Sequence, residues 1–234
     1  MGSRKAWWRA FETRDALASA LAGTVADRLR AAIETKDGAT LAISGGTTPA
    51  LFFDALSRKD LDWTKVVVTL VDERFVPPAS ERSNERLVRE KLLRNEARLA
   101  RFVGLYSDTA TAEAAARGAD AAVALLGPRL DAVVLGMGAD GHTASFFPDA
   151  PNLDALTDPS QKQRVMSVDA PSGGEPRITL TLPLLVDAGL LALHIEGEAK
   201  KGVLERALEQ AAPRLPIARV FDAAAAPIDI YWAP

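Results

Sequence analysis

Apolar residues recur at two different spacings along the chain, and each spacing predicts a different kind of element. Between Asp15 and Thr35 they recur every four residues, which places them on one face of a long α-helix. This helical stripe consists of Leu17, Leu21, Val25, Leu29 and Ile33. Nearly continuous apolar runs follow at Ala39–Ser44 ("ATLAIS") and Val66–Asp72 ("VVVTLVD"), and they predict strands that are covered on both faces.

Further apolar runs alternate with helical segments through the rest of the chain. The runs "DAVVLG", "ITLTL", "GLLALHI" and "PIDIYW" predict more strands, and "RFVGLY" and "VMSVD" are weaker strand candidates. The predicted helices between them are Pro49–Arg58, Asn84–Asn95, Thr109–Leu126 and Ala199–Ala212. Such alternation predicts an α/β fold with a mostly parallel sheet and helices on both faces. Because no repeat or low-complexity linker divides the chain, we predict a single domain over residues 1–234.

The composition narrows the possible classes of function. The 234 residues are 48% apolar and 25% charged, with a net charge of -3, as in an ordinary globular protein. With this balance we expect neither a nucleic acid nor a membrane as partner, so an anionic substrate would need a local basic pocket. The absence of cysteine excludes disulfides, thiolate catalysis and cysteine-based metal sites. Since neither a signal peptide nor an apolar run of about 18 residues is present, we expect a cytoplasmic protein.

The loop after the first predicted strand has features of a phosphate-binding site. In "SGGTTP", Gly45 and Gly46 allow a ligand to approach the backbone, and Thr47 and Thr48 add hydroxyl donors. The free N–H groups at the start of the following helix favour an anion. The alternative is a tight strand-to-helix turn with a threonine cap, and the P-loop pattern is absent.

The end of the next strand carries three adjacent charges, Asp72, Glu73 and Arg74. Unpaired charges are costly inside a core, whereas at the carboxyl end of a parallel strand they can line a ligand site. Arg74 in particular offers a planar fork of donors to a phosphate. The alternative is a surface ion pair at the strand end.

A third strand runs into "LGMGADGHTASFFP", whose glycines Gly136, Gly138 and Gly141 have the spacing of a dinucleotide-binding turn. Pro148 follows too soon for a long helix, and no acidic residue ends a strand about 20 residues on, so the cofactor interpretation is disfavoured. What the loop offers instead is His142, suited to proton transfer near neutral pH, with a nearby aspartate, Asp140, to orient it. The alternative is a structural loop histidine.

Three further polar residues follow predicted strands or lie within them. Arg177 opens "RITLTL" and Lys200 follows "GLLALHI"; either could bind an anion or be a surface charge. His194 alternates with apolar neighbours in "LALHIEG", a pattern typical of a core or edge histidine.

The segments "SGGTTP", "VDERFVP" with "SNERLVREKLL", "LGMGADGHTASFFP", "RITLTLPLL", "GEAKKGVLERAL" and "PIDIYWAP" occur in one order from about residue 41 to 234. Together they resemble the glucosamine-6-phosphate isomerase/6-phosphogluconolactonase family. The resemblance implies a Rossmann-like α/β fold that needs no metal and no organic cofactor. It also implies a small phosphosugar lactone as the binding partner, hydrolysed in the oxidative pentose phosphate pathway.

The resemblance to the lactonase branch assigns roles to individual residues. His142 resembles the general base and Asp140 its positioning partner. The substrate and its phosphate would be held by Gly45, Gly46, Thr47, Thr48, Asp72, Arg74, Asn84, Arg177 and Lys200. One departure is Ala139, where the family often has glutamate, which leaves both proposed catalytic groups in place.

Two alternatives of different kinds remain. Deaminases of the same family carry a carboxylate five residues after the histidine, where this chain has Phe147, so the sequence favours the lactonase. A non-catalytic sugar-phosphate-binding regulator would not need the Asp140–His142 pair. The sequence leaves the oligomeric state open and is compatible with a monomer.

Overall fold

The computed structural model describes residues 6–209 and 214–234. Within them lie ten strands. They are β1 (Ala6–Ala10), β2 (Ala39–Ile43), β3 (Val66–Leu70), β4 (Asp72–Arg74), β5 (Arg101–Val103), β6 (Ala132–Leu135), β7 (Val165–Val168), β8 (Arg177–Leu180), β9 (Leu190–Glu196) and β10 (Ile228–Ala233). Seven of them form one parallel sheet in the order β1-β10-β9-β6-β2-β3-β5, and β4-β8-β7 form a second, antiparallel sheet. The predicted Rossmann-like α/β fold with a mostly parallel sheet is confirmed.

Helices connect the strands. They are α1 (Arg14–Lys36), α2 (Ala50–Ser57), α3 (Asn84–Lys91), α4 (Ala112–Ala124), α5 (Leu153–Leu156), α6 (Leu182–Val186), α7 (Glu198–Leu208) and α8 (Pro216–Ala223). The side chain of Thr13 caps α1, that of Ser83 caps α3 and that of Thr111 caps α4. No helix in the described ranges is both long and apolar enough to span a bilayer.

The predicted stripe of α1 forms part of the core. Leu17, Leu21, Val25 and Leu29 are fully buried, while Ile33 packs against the core from its edge. Complete burial of such a side chain contributes about 1.5–3 kcal/mol. The strands beneath are apolar on both faces, as β2 shows with all five residues buried.

The predicted single strand Val66–Asp72 is wrong, because the chain divides there between the two sheets. β3 ends at Leu70, and the amide of Val71 donates to the carbonyl of Ile43. Asp72 then starts β4, which pairs with β8 so that Arg74 lies opposite Arg177. The strand predicted at "ITLTL" likewise belongs to the antiparallel sheet. This switch brings charged residues from distant parts of the chain above the edge of the parallel sheet.

Several element boundaries also differ from the prediction. The helix predicted over Asn84–Asn95 ends at Lys91, and a short 3-10 turn covers Asn95–Leu99. The prediction missed β1, α5, α6 and α8, which are short or lie at the sheet edge. The helix predicted over Ala199–Ala212 is observed as α7, and its last predicted residues lie outside the described ones.

The central strands β2, β6 and β9 are neighbours in the parallel sheet. Their carboxyl ends lead into the loops that begin at Ser44, Gly136 and Gly197. Since these ends meet at one edge of the sheet, the three loops enclose a common space, where ligands of open α/β sheets bind.

Candidate active site

A cleft of about 200 Å³ lies at this edge. Its volume is below the roughly 300–1,000 Å³ of pockets for drug-sized ligands, so it suits a small molecule rather than a dinucleotide. Ile43, Phe52 and Phe53 form an apolar part of its wall. The predicted site residues that line it are Gly45, Gly46, Thr47, Thr48, Asp72, Arg74, Asn84, His142, Arg177 and Lys200. Asp140 lies outside the lining and contacts His142.

The loop 45–48 presents unpaired donors to the cleft. Gly46 has a φ of 97°, a left-handed conformation that favours glycine. A Cβ on Gly45 would lie 1.9 Å from Oδ1 of Asn84, so only glycine permits this close approach. The backbone N–H groups of residues 45–48 donate to no acceptor in the described part of the chain. Because Pro49 gives α2 no side-chain cap, these groups and the helix N-terminus form a cluster of unpaired donors, an arrangement that favours an anion.

Three cationic side chains face the same cleft from different elements. Nζ of Lys200, in α7, lies 3.5 Å from the hydroxyl of Thr48. The Nε atoms of Arg74 and Arg177 are buried and have no partner within the described ranges. Burial lowers the pKa of Arg177, against the opposing effect of Asp72, and burial also lowers the pKa of Lys200, against that of Glu196. Because their desolvation is incompletely compensated, these cations favour an anionic ligand.

Asp72 is fixed between the two sheets by its neighbours. The hydroxyl of Ser145 donates to its Oδ2 at 2.6 Å, and Nδ2 of Asn84 donates to its backbone carbonyl at 2.8 Å. Among the carboxylates, Asp72 also has the largest effect on the pKa of Arg177, which it raises against the effect of burial. No local sequence pattern indicates the hydrogen bond with Ser145, because 73 positions separate the two residues.

Glu73 does not line the cleft, in contrast to the expectation for three adjacent strand-end charges. It is fully buried, where its carboxylate accepts from the amides of Arg74, Asn84 and Glu85 and from the hydroxyl of Ser83, at 2.7–3.0 Å. Burial raises the pKa of Glu73, and these hydrogen bonds act in the opposite direction. The carboxylate of Glu73 thereby links the start of α3, including Asn84, to β4.

Asp140 and His142 form a hydrogen-bonded pair in the loop after β6. Nδ1 of His142 lies 2.5 Å from Oδ1 of Asp140, and the same oxygen accepts from the amide of His142 at 3.2 Å. The loop closes tightly, with the amide of Gly138 donating to the carbonyl of His142. Nε2 of His142 is therefore the ring nitrogen left for a ligand or water. Both side chains are partly exposed, which gives water access.

The glycines of this loop serve its own packing. A Cβ on Gly138 would lie 2.3 Å from the ring of His142 and 2.6 Å from Oδ1 of Asp140. Gly141 has a φ of 78°, and a Cβ there would lie within 3 Å of Leu215. The loop carries a short hydrogen-bonded turn rather than a helix, which agrees with the sequence interpretation that disfavoured a dinucleotide cofactor.

Phe147, which stands where deaminases of the family carry a carboxylate, contacts His142 directly. Its ring centroid lies 4.6 Å from that of His142, with the planes inclined by 33°. The guanidinium carbon of Arg177 lies 5.3 Å from the same ring. An aromatic side chain, rather than a carboxylate, therefore lies against the histidine.

His194 is buried in β9, as the sequence pattern predicted, but it also lines the cleft. The alternation of apolar residues indicated its burial and gave no signal of its place in the wall. Among the described residues, no group of three or more His, Asp or Glu side chains is placed to hold a metal ion.

The fold and the cleft define an α/β protein with a loop of unpaired amides and an Asp–His pair at the carboxyl edge of its parallel sheet. The chain belongs to the family of glucosamine-6-phosphate isomerases and 6-phosphogluconolactonase, whose model matches residues 12–232.

The most similar relatives include named lactonases. A 6-phosphogluconolactonase of Mesorhizobium japonicum is 55% identical over 227 residues, covering 97% of this chain and 95% of the relative. Another, from Rhizobium meliloti, is 54% identical over 225 residues, covering 96% and 97%. The crystal structure of a 6-phosphogluconolactonase from Shewanella baltica matches with a TM-score of 0.95 and 36% identity over 99% of both chains. The resemblance inferred from the sequence motifs is therefore confirmed.

Proposed function

We propose that the protein hydrolyses 6-phospho-D-glucono-1,5-lactone to 6-phosphogluconate, a reaction of the oxidative pentose phosphate pathway. The observation that carries this proposal is the placement of the Asp140–His142 pair in one small cleft with the unpaired amides of residues 45–48. The first group can move a proton and the second can hold a phosphate. The names of the relatives support the choice of substrate.

The phosphate would occupy the loop at residues 45–48. There the backbone amides and the hydroxyls of Thr47 and Thr48 donate to its oxygens, and Lys200 supplies charge beside Thr48. Arg74 and Arg177 add buried guanidinium donors that lack a protein partner at Nε. Asn84 and Asp72, linked to each other by a hydrogen bond, face the sugar hydroxyls.

His142 would act as the general base. With Nδ1–H held by Asp140, Nε2 takes a proton from water as the water oxygen bonds to the lactone carbonyl carbon. The tetrahedral intermediate then collapses, the bond between C1 and the ring oxygen breaks, and Nε2 returns the proton to the departing oxygen. A reactive lactone needs little more than this, and general-base help is worth about 10²–10⁴-fold in rate.

Phe147 supports lactone hydrolysis over deamination of glucosamine 6-phosphate. Ring opening and isomerisation of an amino sugar need a carboxylate close to the histidine to tune its proton transfers. The ring of Phe147 contacts His142 instead, and it neither carries charge nor accepts a proton.

The first experiment measures loss of 6-phosphoglucono-δ-lactone against its spontaneous hydrolysis, using protein treated with a chelator. We expect catalysis without added metal or cofactor, and a loss of about 10²–10⁴-fold in kcat for His142→Ala. Full activity of His142→Ala would contradict the mechanism. Release of ammonia from glucosamine 6-phosphate would establish the deaminase, and phosphosugar binding without turnover of either substrate would establish a regulator.

The second experiment tests the phosphate assignment by comparing the phosphorylated lactone with glucono-δ-lactone. We expect kcat/KM to favour the phosphorylated substrate, and the preference to shrink in Arg74→Gln and Lys200→Gln. Lys201→Gln is a matched control, because Lys201 lies on the ring of Trp232 and outside the cleft lining. Equal rates on the two lactones would contradict the assignment. We further expect a cytoplasmic enzyme whose partner is this small molecule alone.

A further inference from the structure

His194 occupies an unusual position for a buried histidine. It lies on the central strand β9 with only 3% of its surface exposed, and that strand is paired on both sides. Its ring contributes to the wall of the cleft together with Phe52, the loop 45–48 and Lys200. The ring meets that of Phe52 edge-on, at a centroid distance of 6.2 Å, just below the start of α2.

One nitrogen of the ring is engaged and the other is not. Nε2 lies 3.3 Å from Oε1 of Glu196. Since a carboxylate only accepts hydrogen bonds, Nε2 carries the proton of this contact. Nδ1 has no partner in the part of the chain that the structure describes. The imidazole therefore presents a nearly buried, unpaired nitrogen in a wall of the cleft.

Glu196 contacts a second residue besides His194, and this contact holds its carboxylate in place. Its Oε2 lies 3.4 Å from Nε of Arg14, at the start of α1. The hydrogen bond from His194 is the main cause that lowers the pKa of Glu196, with Arg14 and Lys200 contributing charge. The carboxylate thus stays ionised, and it fixes both the orientation of the ring and the nitrogen that carries the proton.

We propose that His194 is a further phosphate-binding residue, whose ring takes up a proton when the phosphosugar binds so that Nδ1–H donates to a phosphate oxygen. The inference rests on the proposed function, because it assumes a phosphate in the loop at residues 45–48. It assigns to β9 a recognition role in addition to its structural one.

The proton is required by the geometry of the ring. A neutral imidazole that donates from Nε2 presents a lone pair at Nδ1, which would repel a phosphate oxygen. Protonation turns Nδ1 into a donor and places a positive charge between Glu196 and the dianion. A histidine can make this change near neutral pH.

The other charged groups around the ring permit this change. Lys200 in α7 and Arg14 in α1 are the cations near Glu196, and they are offset by that carboxylate and by the incoming dianion. Tyr231, opposite His194 on β10, donates its hydroxyl to Thr24. Beyond it, Arg9 and Asp229 pair with each other. Among the described residues that line the cleft, Asp72 is the one with a carboxylate. It accepts a hydrogen bond from Ser145, so it is already engaged and does not compete for Nδ1 of His194.

The chain contains only two histidines, which makes a direct test possible. Protein without an affinity tag, labelled with ¹⁵N at the imidazoles, gives two sets of ring signals, which His142→Ala assigns. The spectra are recorded near pH 7.5 with saturating 6-phosphogluconate and, as the matched control, gluconate. We expect 6-phosphogluconate to shift both nitrogens of His194 to the imidazolium positions, and gluconate to leave them unchanged.

Each other outcome overturns the inference in a recognisable way. A response of His142 without one of His194 would leave the proposed function standing and refute the role of His194. An equal response of His194 to gluconate would refute the link to phosphate. If neither ring responded to 6-phosphogluconate, the proposed substrate itself would be wrong, and this inference with it.

A variant provides a second, independent measurement. His194→Gln keeps a donor for Glu196 and loses the ability to take up a proton, so we expect the Kd of 6-phosphogluconate to rise about tenfold near pH 7. Tyr231→Phe alters a buried polar group opposite it on the sheet and should leave the Kd unchanged. Equal affinity of His194→Gln and the unmodified protein would also refute the proposal, and the spectra of the unmodified protein decide the matter if the variant does not fold.

Discussion

The ring of Phe147 packs on the imidazole of His142 at a centroid distance of 4.6 Å, and the guanidinium of Arg177 lies over the same phenyl ring. The imidazole is therefore held by two contacts of different kinds, a hydrogen bond to Asp140 at Nδ1 and an aromatic surface against its face. Together they fix the direction in which Nε2 points. Phe147 therefore contacts both His142, the proposed base, and Arg177, one of the residues proposed to bind the phosphate.

Replacing Phe147 by leucine should lower kcat more than it raises KM. The substitution keeps an apolar side chain and removes the ring contact, and such aromatic contacts are worth about 0.5–1.5 kcal/mol, so we expect a roughly three- to tenfold loss in kcat. Steady-state kinetics with the phosphorylated lactone measure it. Phe146→Leu is the control, because Phe146 is the neighbouring residue, is fully buried and makes no ring contact with His142 among the described residues. An equal loss of kcat in both variants would show a general packing effect.

Asp140 and His142 should behave as one catalytic unit. We expect Asp140→Asn to lower kcat by about 10²-fold or more, because the imidazole loses the carboxylate that orients it and stabilises its protonated form. The double variant Asp140→Asn/His142→Ala should then be no slower than His142→Ala alone, since residues that act together are not additive. Rate measurements on the three variants test this. Losses that multiply in the double variant would mean that the two groups act independently.

Glycine at position 138 should be required for activity, whereas glycine at 136 should not. A Cβ on Gly138 would collide with the ring of His142 and with Asp140, so Gly138→Ala must displace the pair. A Cβ on Gly136 would meet its nearest atom, in Ser44, at 3.8 Å, an ordinary contact. We therefore expect a loss of kcat of at least about tenfold in Gly138→Ala and near-normal activity in Gly136→Ala. Comparable activity in the two variants would contradict the geometry of the loop.

The central parallel sheet was predictable because its strands carry a local signal. β2, β3 and β6 are almost wholly apolar and are followed within two residues by glycine or a charged residue, and this pattern identifies strands buried on both faces. β1 has no such signal, because it is an edge strand on which Trp7 and Trp8 are exposed. The antiparallel sheet was missed for a different reason, since the pairing of Arg74 with Arg177 joins segments about one hundred residues apart.

The sequence located the loops of the candidate site and left their internal chemistry open. Motifs at strand ends are brought to one cleft by the topology of a parallel sheet, which sequence periodicity implies. Burial of individual polar residues is decided by distant partners instead. Glu73 is buried because the start of α3 supplies donors to it, and His194 lines the cleft beside Phe52 of α2 and Lys200 of α7.

Phosphate binding should weaken at alkaline pH because of Lys200. Burial holds the pKa of its ammonium below the ordinary value of 10.5, with Glu196 only partly opposing the effect. As the pH rises, the charge is therefore lost at a lower pH than it would be for an exposed lysine. We expect the Kd of 6-phosphogluconate, measured by calorimetry, to rise as the pH is raised from neutrality towards 10.5.

Lys200→Arg identifies the group responsible. A guanidinium stays protonated throughout this range, so the variant should bind 6-phosphogluconate with little change up to about pH 10, even if the different shape of arginine weakens binding at every pH. Lys201→Arg makes the same substitution at a lysine that lies on Trp232 instead of in the cleft, and it should retain the alkaline weakening. Weakening that persists in Lys200→Arg would assign the titration to another residue, and a Kd independent of pH in the unmodified protein would place the phosphate away from Lys200.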